Sequence, residues 1–195
     1  ASRQEIVRRY FASLNSLLMG TTSEEEAQKI ELLMNQANVS VQDRQVVAKA
    51  LERSRETNGP AAAMELDDGR MITGKTTNLL GASAALLLNV LKELAGIDHE
   101  LHVISPESIE PIQKLKVDYL KSKNPRLHTD EVLIALSASA ANSNMARKAL
   151  EQLPKLEGCQ AHTSVMLSDV DIKTFKKLGV QLTCQAVYET DHIYH

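Results

Sequence analysis

The sequence is poor in aromatic residues, and its charge shows no basic excess. Aromatic residues make up 3% of the 195 residues, and tryptophan is absent. Proteins that bind single-stranded nucleic acids stack the bases on exposed aromatic side chains, and this chain has few of them. The net charge of −3 also gives no reason to expect contact with a phosphate backbone. We therefore expect no nucleic-acid partner.

Cysteines and long apolar runs are also scarce. Neither Cys159 nor Cys184 has a second cysteine or a histidine at metal-ligand spacing. This predicts two reduced thiols in a cytoplasmic protein and no metal site. The most apolar segment, residues 79–91, is shorter than the stretch of about 20 residues that spans a bilayer. We therefore expect no membrane partner.

The chain starts with neither an initiator methionine nor an apolar leader, and its first residues are polar. We expect it to be the C-terminal part of a longer cytoplasmic protein. Its first 58 residues have the pattern of three helices. Ser2, Ser23 and Ser40 each lie three residues before a carboxylate, as in a capping box. Apolar residues at helical spacing follow each serine, so we predict a small helical subdomain over residues 1–58.

Beyond residue 58, predicted strands alternate with predicted helices. Asp67, Asp68 and Gly69 form a hairpin turn signal between two short strands. Helices are predicted over residues 77–94, 106–122, 129–153 and 168–178, and further strands over residues 102–104, 163–167 and 180–187. This alternation predicts an α/β subdomain with a mixed sheet over residues 59–195, so the whole chain is of the α+β or α/β class.

Residues 69–76 match the phosphate-loop expression G-x4-G-K-[ST]. A phosphate loop must leave extended geometry at its variable positions, whereas residues 70–73 are predicted to form a strand. We therefore do not expect a nucleotide loop here. The end of the pattern is a candidate anion-binding group at a predicted helix N-terminus. This group comprises Gly74, Lys75, Thr76 and Thr77. A threonine N-cap beside a solvent-exposed lysine explains the same residues.

A second candidate group follows the strand predicted at residues 102–104. Ser105 opens the next predicted helix, and Glu107 and Glu110 lie in its first turns. Binding crevices in open α/β sheets lie outside the carboxyl ends of strands. We take Ser105 as a ligand-binding candidate and Glu107 as a catalytic acid or base. The alternative is that acidic residues simply favour the first turn of a helix.

The connection at residues 124–131 forms a third candidate group, because it brings a guanidinium, an imidazole and two carboxylates together. Functional groups concentrate on such connections. Arg126 is our ligand-binding candidate and His128 our catalytic candidate. A capped helix start with surface charges explains the same residues. No histidine belongs to a zinc-hydrolase or deaminase motif.

Three segments carry a resemblance to a known family. They are residues 74–83 (GKTTNLLGAS), 109–113 (IEPIQ) and 124–133 (NPRLHTDEVL). The chain resembles the C-terminal part of the bacterial DUF1846 (UPF0371) family over essentially its whole length, and members of that family are much longer. The resemblance implies a helical subdomain followed by an α/β subdomain layered like the cytidine deaminase fold. It identifies neither a reaction nor a cofactor, and the zinc ligands of true deaminases are missing.

Two functions from different classes remain open. In the first, the chain supplies half of a binding or active site for a small anionic, phosphorylated ligand. The helix starts at Thr76 and Pro106 would then lie side by side at one sheet edge, with Arg126 and His128 closing the crevice. In the second, the chain is a non-catalytic module that self-associates or packs on an upstream domain. Small residues at 81–85 and 137–141 permit close helix packing in either case.

Overall fold

The structure, a computed structural model, describes residues 2–189 as eight α-helices and a four-stranded mixed sheet. The helices are α1 (Ser2–Leu18), α2 (Glu24–Gln36), α3 (Gln45–Thr57), α4 (Ala82–Ala95), α5 (Pro106–Lys114), α6 (Thr129–Ala140), α7 (Asn144–Leu150) and α8 (Asp169–Lys177). The strands are β1 (Ala61–Glu65), β2 (Met71–Lys75), β3 (Gln160–Thr163) and β4 (Gln181–Cys184). The predicted α+β class with a mixed sheet is confirmed. The likeness to the cytidine deaminase layering stays a prediction.

The sheet has the strand order β2-β1-β3-β4. Strand β1 pairs antiparallel with β2 and β3, whereas β3 and β4 are parallel. The hairpin predicted around Asp67, Asp68 and Gly69 joins β1 to β2, and Gly69 takes a φ of 87° that glycine adopts without strain. The phosphate-loop expression therefore falls on strand β2, as the hairpin predicts.

Helices cover both faces of the sheet. Residues 61–64 of β1 are fully buried, as expected for a strand between two helical layers. Ala62 and Met64 belong to the main core together with the almost entirely buried helix α4. Helix α3 packs on β1, β2 and β3. Gly74 lets α4 approach β2 closely, because a Cβ atom there would lie 2.2 Å from the backbone nitrogen of Leu86.

The three helices predicted before residue 58 are present as α1, α2 and α3. They enclose a second, smaller core that includes Phe11, Met34 and Val47. Helix α1 also contacts β4, and the Asn15 side chain donates a hydrogen bond to the carbonyl of Cys184 at 2.8 Å. The division of the chain into subdomains at residue 58 stays a prediction.

Two predicted elements are wrong. Residues 102–104 form no strand. Val103 and Ile104 are buried in the main core, but neither pairs with a strand of the described sheet. Helix α4 begins at Ala82 instead of residue 77. The Thr77 hydroxyl accepts hydrogen bonds from the N–H groups of Leu79 and Leu80, at 3.2 and 3.0 Å, and this turn competes with helix formation. Thr76 therefore does not start a helix.

Other boundaries are shifted. The helix predicted over residues 129–153 is divided into α6 and α7, because Ser143 caps α7 by accepting a hydrogen bond from the N–H of Ala146 at 3.1 Å. Helix α5 continues into a π-helical turn, Leu115–Tyr119. The strand predicted over residues 163–167 is wrong except at Thr163, because β3 covers Gln160–Thr163, and β4 is shorter than predicted. Among the described residues, no helix is both long and apolar enough to cross a membrane.

Candidate functional site

A cleft of about 280 Å³ lies where the N-termini of α4, α6 and α8 meet. We call it the His128 cleft. Its polar lining residues are Thr76, Ser83, Asn124, Arg126, His128, Ser168, Asp171, Tyr188 and Glu189. Helix N-termini carry partial positive charge, and their first N–H groups have no acceptor within the helix. The convergence of three such ends gives this part of the cleft partial positive charge, which Asp171 partly offsets by accepting a hydrogen bond from the Thr129 N–H.

His128 and Asp171 form the central polar pair of this cleft. The His128 Nδ1 atom lies 3.4 Å from Oδ2 of Asp171. The other carboxylate oxygen, Oδ1, accepts hydrogen bonds from the Thr129 N–H at 2.9 Å and from the Thr129 hydroxyl at 2.6 Å. These contacts fix the carboxylate, which in turn orients the imidazole ring.

The surroundings shift the pKa values of both members of the pair. The hydrogen bond to Asp171 raises the pKa of His128 above its ordinary value, and this effect exceeds the opposing effect of burial. Burial by itself raises the pKa of Asp171, but the hydrogen bonds from His128 and Thr129 outweigh it and lower the pKa. Each residue thus stabilises the charged form of the other.

Local helix capping positions both side chains. Asp171 lies three residues after Ser168, which caps α8 by accepting a hydrogen bond from the Asp171 N–H at 3.4 Å. His128 precedes α6, and its N–H donates to Oε1 of Glu131 at 2.8 Å. The buried ammonium of Lys116 binds the same carboxylate at 2.8 Å and thereby fixes the start of α6.

Sequence reasoning found His128 but missed three of the residues that support it, Asp171, Thr129 and Lys116. The helix predicted over residues 168–178 contains Asp171, yet nothing local indicated that its carboxylate reaches α6. The spacing between His128 and Asp171 is 43 residues. Only the packing of α8 against α6 brings the two together.

The structure divides the predicted site residues among several places. Thr76, Arg126 and His128 line the His128 cleft. Gly74, Lys75 and Thr77 line a second cleft of about 530 Å³, which we call the Lys75 cleft. Arg126 of the His128 cleft contacts a residue of the Lys75 cleft, because its Nε atom donates a hydrogen bond to the Thr77 carbonyl at 2.6 Å.

The remaining two predicted residues lie outside both clefts. Ser105 caps α5, where its hydroxyl accepts a hydrogen bond from the Ser108 N–H at 3.3 Å. Glu107 is exposed in the first turn of α5. The structure therefore does not bring Glu107 to His128, and the predicted ligand-binding and catalytic roles of all these residues stay predictions.

No group of three or more His, Cys, Asp or Glu side chains is arranged to hold a metal ion within residues 2–189. The two cysteines are buried and unpaired. Burial raises the pKa values of the Cys159 and Cys184 thiols, which makes both poor nucleophiles.

Comparison with known proteins shows that the chain belongs to the family described as "Domain of unknown function DUF1846, C-terminal", which matches residues 42–194. The predicted family is confirmed. The chain is 55% identical over 194 residues to a UPF0371 protein of Corynebacterium efficiens and 45% identical to one of Streptococcus uberis. Each alignment covers 100% of this chain and 39% of the relative. The chain thus corresponds to part of these longer bacterial proteins.

Proposed function

We propose that this chain supplies half of a binding or active site for a small anionic, phosphorylated ligand, and that the ligand binds in the His128 cleft. The observation that carries the proposal is the His128–Asp171 pair in a cleft onto which three helix N-termini open. The upstream part of the longer protein would supply the other half of the site.

The helix N-terminus and the cationic side chain at the cleft support an anion there, whereas the carboxylates of Asp171 and Glu189 oppose one. The first N–H groups of α4 include those of residues 82 and 83, at the wall of the cleft. Arg126 adds a guanidinium, whose planar donors match the oxygens of a phosphate group. Thr76 adds a hydroxyl.

His128 is the group suited to proton transfer in this cleft. Asp171 only accepts at its Oδ2, so the Nδ1 atom of His128 carries the proton of that hydrogen bond. The opposite nitrogen, Nε2, has no hydrogen-bond partner among the residues that the structure describes. A neutral His128 can therefore accept a proton at Nε2, and the charged form can donate one.

A thermal-shift screen of inorganic phosphate and phosphorylated metabolites tests this proposal. The screen uses this chain and the full-length relative of Corynebacterium efficiens. A ligand at 100 times its Kd stabilises the folded state by about 2.7 kcal/mol, which is easily detected. Titration calorimetry then compares the chain with Arg126→Gln and His128→Gln. Arg9→Gln, at an exposed position of α1, is the matched control.

We expect Arg126→Gln to weaken binding of the ligand at least tenfold, and His128→Gln to weaken it less, because the guanidinium contributes the full charge. Arg9→Gln should leave the affinity unchanged. If no phosphorylated compound stabilises either protein, or if all three variants bind as the parent does, the proposal fails.

Assembly is the second candidate function, in which the chain self-associates or packs on the upstream part of the protein. It is favoured by the exposed apolar residues after α5, where Tyr119 and Leu120 are each 68% exposed. Sedimentation of this chain and of its Leu120→Lys variant compares their self-association. A dimer that the lysine dissociates would support assembly, and a monomer in both cases would argue against self-association.

We also infer that the protein is cytoplasmic, as the sequence predicts. Both thiols are unpaired and buried, which suits a reducing compartment. Fractionation of bacteria that express the full-length relative tests this location, and recovery from the culture medium or cell envelope would contradict it.

A further inference from the structure

The Lys75 cleft collects basic side chains from distant parts of the chain. It lies between the end of β2, one face of α4 and the segment that leads into α5. Its basic lining residues are Arg53, Lys75, Lys92, His99 and His102. No Asp or Glu is among the described residues that line it. Two exposed acidic residues that do not line the cleft contact its basic residues: Glu56 lies 3.1 Å from Arg53, and Asp98 lies 3.7 Å from the ring of His99.

Several of these basic groups have donors that no carboxylate of the described residues contacts. Lys92 is 7% exposed, and its ammonium donates to the His99 carbonyl, while Asp98 acts on it electrostatically without forming an ion pair. The side chain of Lys75 is exposed and has no hydrogen bond or ion pair within residues 2–189. The Nε atom of Arg53 is buried without an acceptor in the same part of the chain. Buried donors are almost always paired in native proteins, so an acceptor is expected at this cleft.

The rest of the lining is aliphatic. It includes Leu79, Leu88, Leu101, Val103 and Ile109. Leu101 is 50% exposed, although it lies beside the cationic groups. No Phe, Tyr or Trp is among the described lining residues, so a nucleobase would have no aromatic ring to stack on. The walls instead suit a flexible aliphatic chain.

We propose that the Lys75 cleft binds an amphiphilic anion, which is a phosphate or carboxylate group carried on an aliphatic chain. The anionic group contacts the ammonium of Lys75 and lies near Lys92, and the chain packs on Leu101 and the other aliphatic side chains. The volume of the Lys75 cleft, about 530 Å³, falls within the range of small-molecule sites.

This site is separate from the one proposed at His128. The two clefts share no lining residue, and the segment 75–81 contributes residues to both. The inference therefore does not depend on a ligand at His128.

Isothermal titration of this chain with octyl phosphate and octanoate, below their micelle concentrations, tests the inference. The comparison compounds are ethyl phosphate, which lacks the chain, and octanol, which lacks the charge. We expect octyl phosphate or octanoate to bind at least tenfold more tightly than either comparison compound. The preferred head group then distinguishes a phosphate from a carboxylate ligand.

Variants at exposed positions assign the binding to this cleft. Lys75→Gln should weaken octyl phosphate or octanoate binding at least fivefold, and Leu101→Asp should weaken it more, because it adds a repelling charge to an apolar wall. Matched controls away from the cleft are Lys173→Gln on α8 and Ile134→Asp on α6, both exposed. Unchanged melting temperatures show that the variants fold.

A separate variant distinguishes the two proposals. His128→Gln should leave octyl phosphate binding unchanged, even if it weakens binding of the phosphorylated ligand found in the screen. The inference is overturned if neither amphiphile binds more tightly than ethyl phosphate, if AMP binds more tightly than both amphiphiles, or if Lys75→Gln and Leu101→Asp have no more effect than their controls.

Discussion

His162 and His128 lie in regions of opposite character. His162 is 0% exposed, and both ring nitrogens are paired with neutral groups. Gln185 accepts through Oε1 at 2.8 Å, so Nε2 of His162 carries the proton and Nδ1 accepts from the Thr183 hydroxyl at 2.6 Å. The His128 side chain is 33% exposed and has a charged partner, Asp171. One histidine is enclosed, and the other faces a cleft.

Burial of one ring and the charged partner of the other push their pKa values apart. Burial, with a smaller contribution from nearby Arg44, lowers the pKa of His162 to about 4, so this ring is neutral at physiological pH. The carboxylate of Asp171 raises the pKa of His128. A fully paired, neutral histidine stabilises the fold, whereas a charged pair with one nitrogen facing a cleft is suited to bind or transfer a proton.

Arg44 belongs to the same enclosed region as His162, because both side chains contact the Thr183 hydroxyl. It is 0% exposed, and it donates to the Thr183 hydroxyl at 3.0 Å and to the carbonyls of Ala161 and Gln181 at 2.7 and 2.8 Å. It also donates to the side chain of Gln160. Burial lowers the pKa of Arg44 to about 10, so the guanidinium remains charged at neutral pH. Its partners are neutral, and through them Arg44 links the loop before α3 to β3 and β4.

Replacing Arg44 should give the largest effect on stability and should not affect the cleft. Arg44→Met leaves several buried acceptors unpaired, and we expect the free energy of unfolding to fall by about 3–5 kcal/mol. Urea denaturation measures this change. Arg44→Lys should recover only a small part of it, because an ammonium lacks the planar fork. A loss below about 1 kcal/mol, within the range of surface substitutions, would mean that the enclosed network is not structural.

Gly74 was predicted to contact a ligand, whereas the structure packs this residue closely against α4. A substitution there therefore tests whether the position is structural. A Cβ atom would lie 2.2 Å from the Leu86 nitrogen and 2.9 Å from the Ala82 carbonyl oxygen. Gly74→Ala should therefore lower the free energy of unfolding by about 1–3 kcal/mol, the usual cost of overpacking. The matched control is Gly81→Ala, whose Cβ would meet only the Leu127 carbonyl oxygen at 3.9 Å. Equal effects at the two positions in urea denaturation would contradict this role.

Removing the negative charge of Asp171 should also reduce stability. Asp171→Asn keeps the shape but weakens the hydrogen bonds with His128 and Thr129, and we expect a loss of about 1–3 kcal/mol. The ligand identified in the screen should also bind differently, since the variant removes the carboxylate that raises the pKa of His128. Chemical denaturation and titration calorimetry measure the two effects. An unchanged stability would show that Thr129 and His128 do not depend on the carboxylate.

The pH dependence gives the smallest effect. The raised pKa of His128 contributes stability that is fully present below about pH 6.5 and is lost as the pH rises through the raised value. The lowered pKa of Asp171 contributes stability that is lost as the pH falls through that value. His128→Gln should therefore cost more stability at pH 6 than at pH 8.5, by less than about 1 kcal/mol for a partly exposed pair. An equal cost at both pH values would contradict the ion pair.

Much of the fold was predictable because its signals are local. The turn at Asp67, Asp68 and Gly69 and the apolar spacing of α3 depend on neighbouring residues, and both were predicted correctly. Residues 102–104 were not, because a short apolar run does not show whether it pairs in a sheet or only packs in the core. The start of α4 was missed because the hydroxyl of Thr77 forms a turn where the pattern favoured a helix.

The site was less predictable, because it depends on long-range packing. His128 and Arg126 were visible as unusual residues in one connection. Asp171 belongs to another helix, α8, and no motif around it predicted a contact with His128. The separation of Lys75 from His128 into different clefts follows from the path of residues 75–81, which no periodicity describes.

The most direct test is an NMR titration of the histidine ring protons, assigned with His128→Gln and repeated with the ligand identified in the screen. We predict that His128 titrates above about 6.5, the ordinary histidine value, that its pKa falls in Asp171→Asn, and that it rises further when the anionic ligand binds. His162 should titrate near 4 in all three cases. A His128 pKa at or below that of a free histidine, unchanged by Asp171→Asn and by the ligand, would contradict the account.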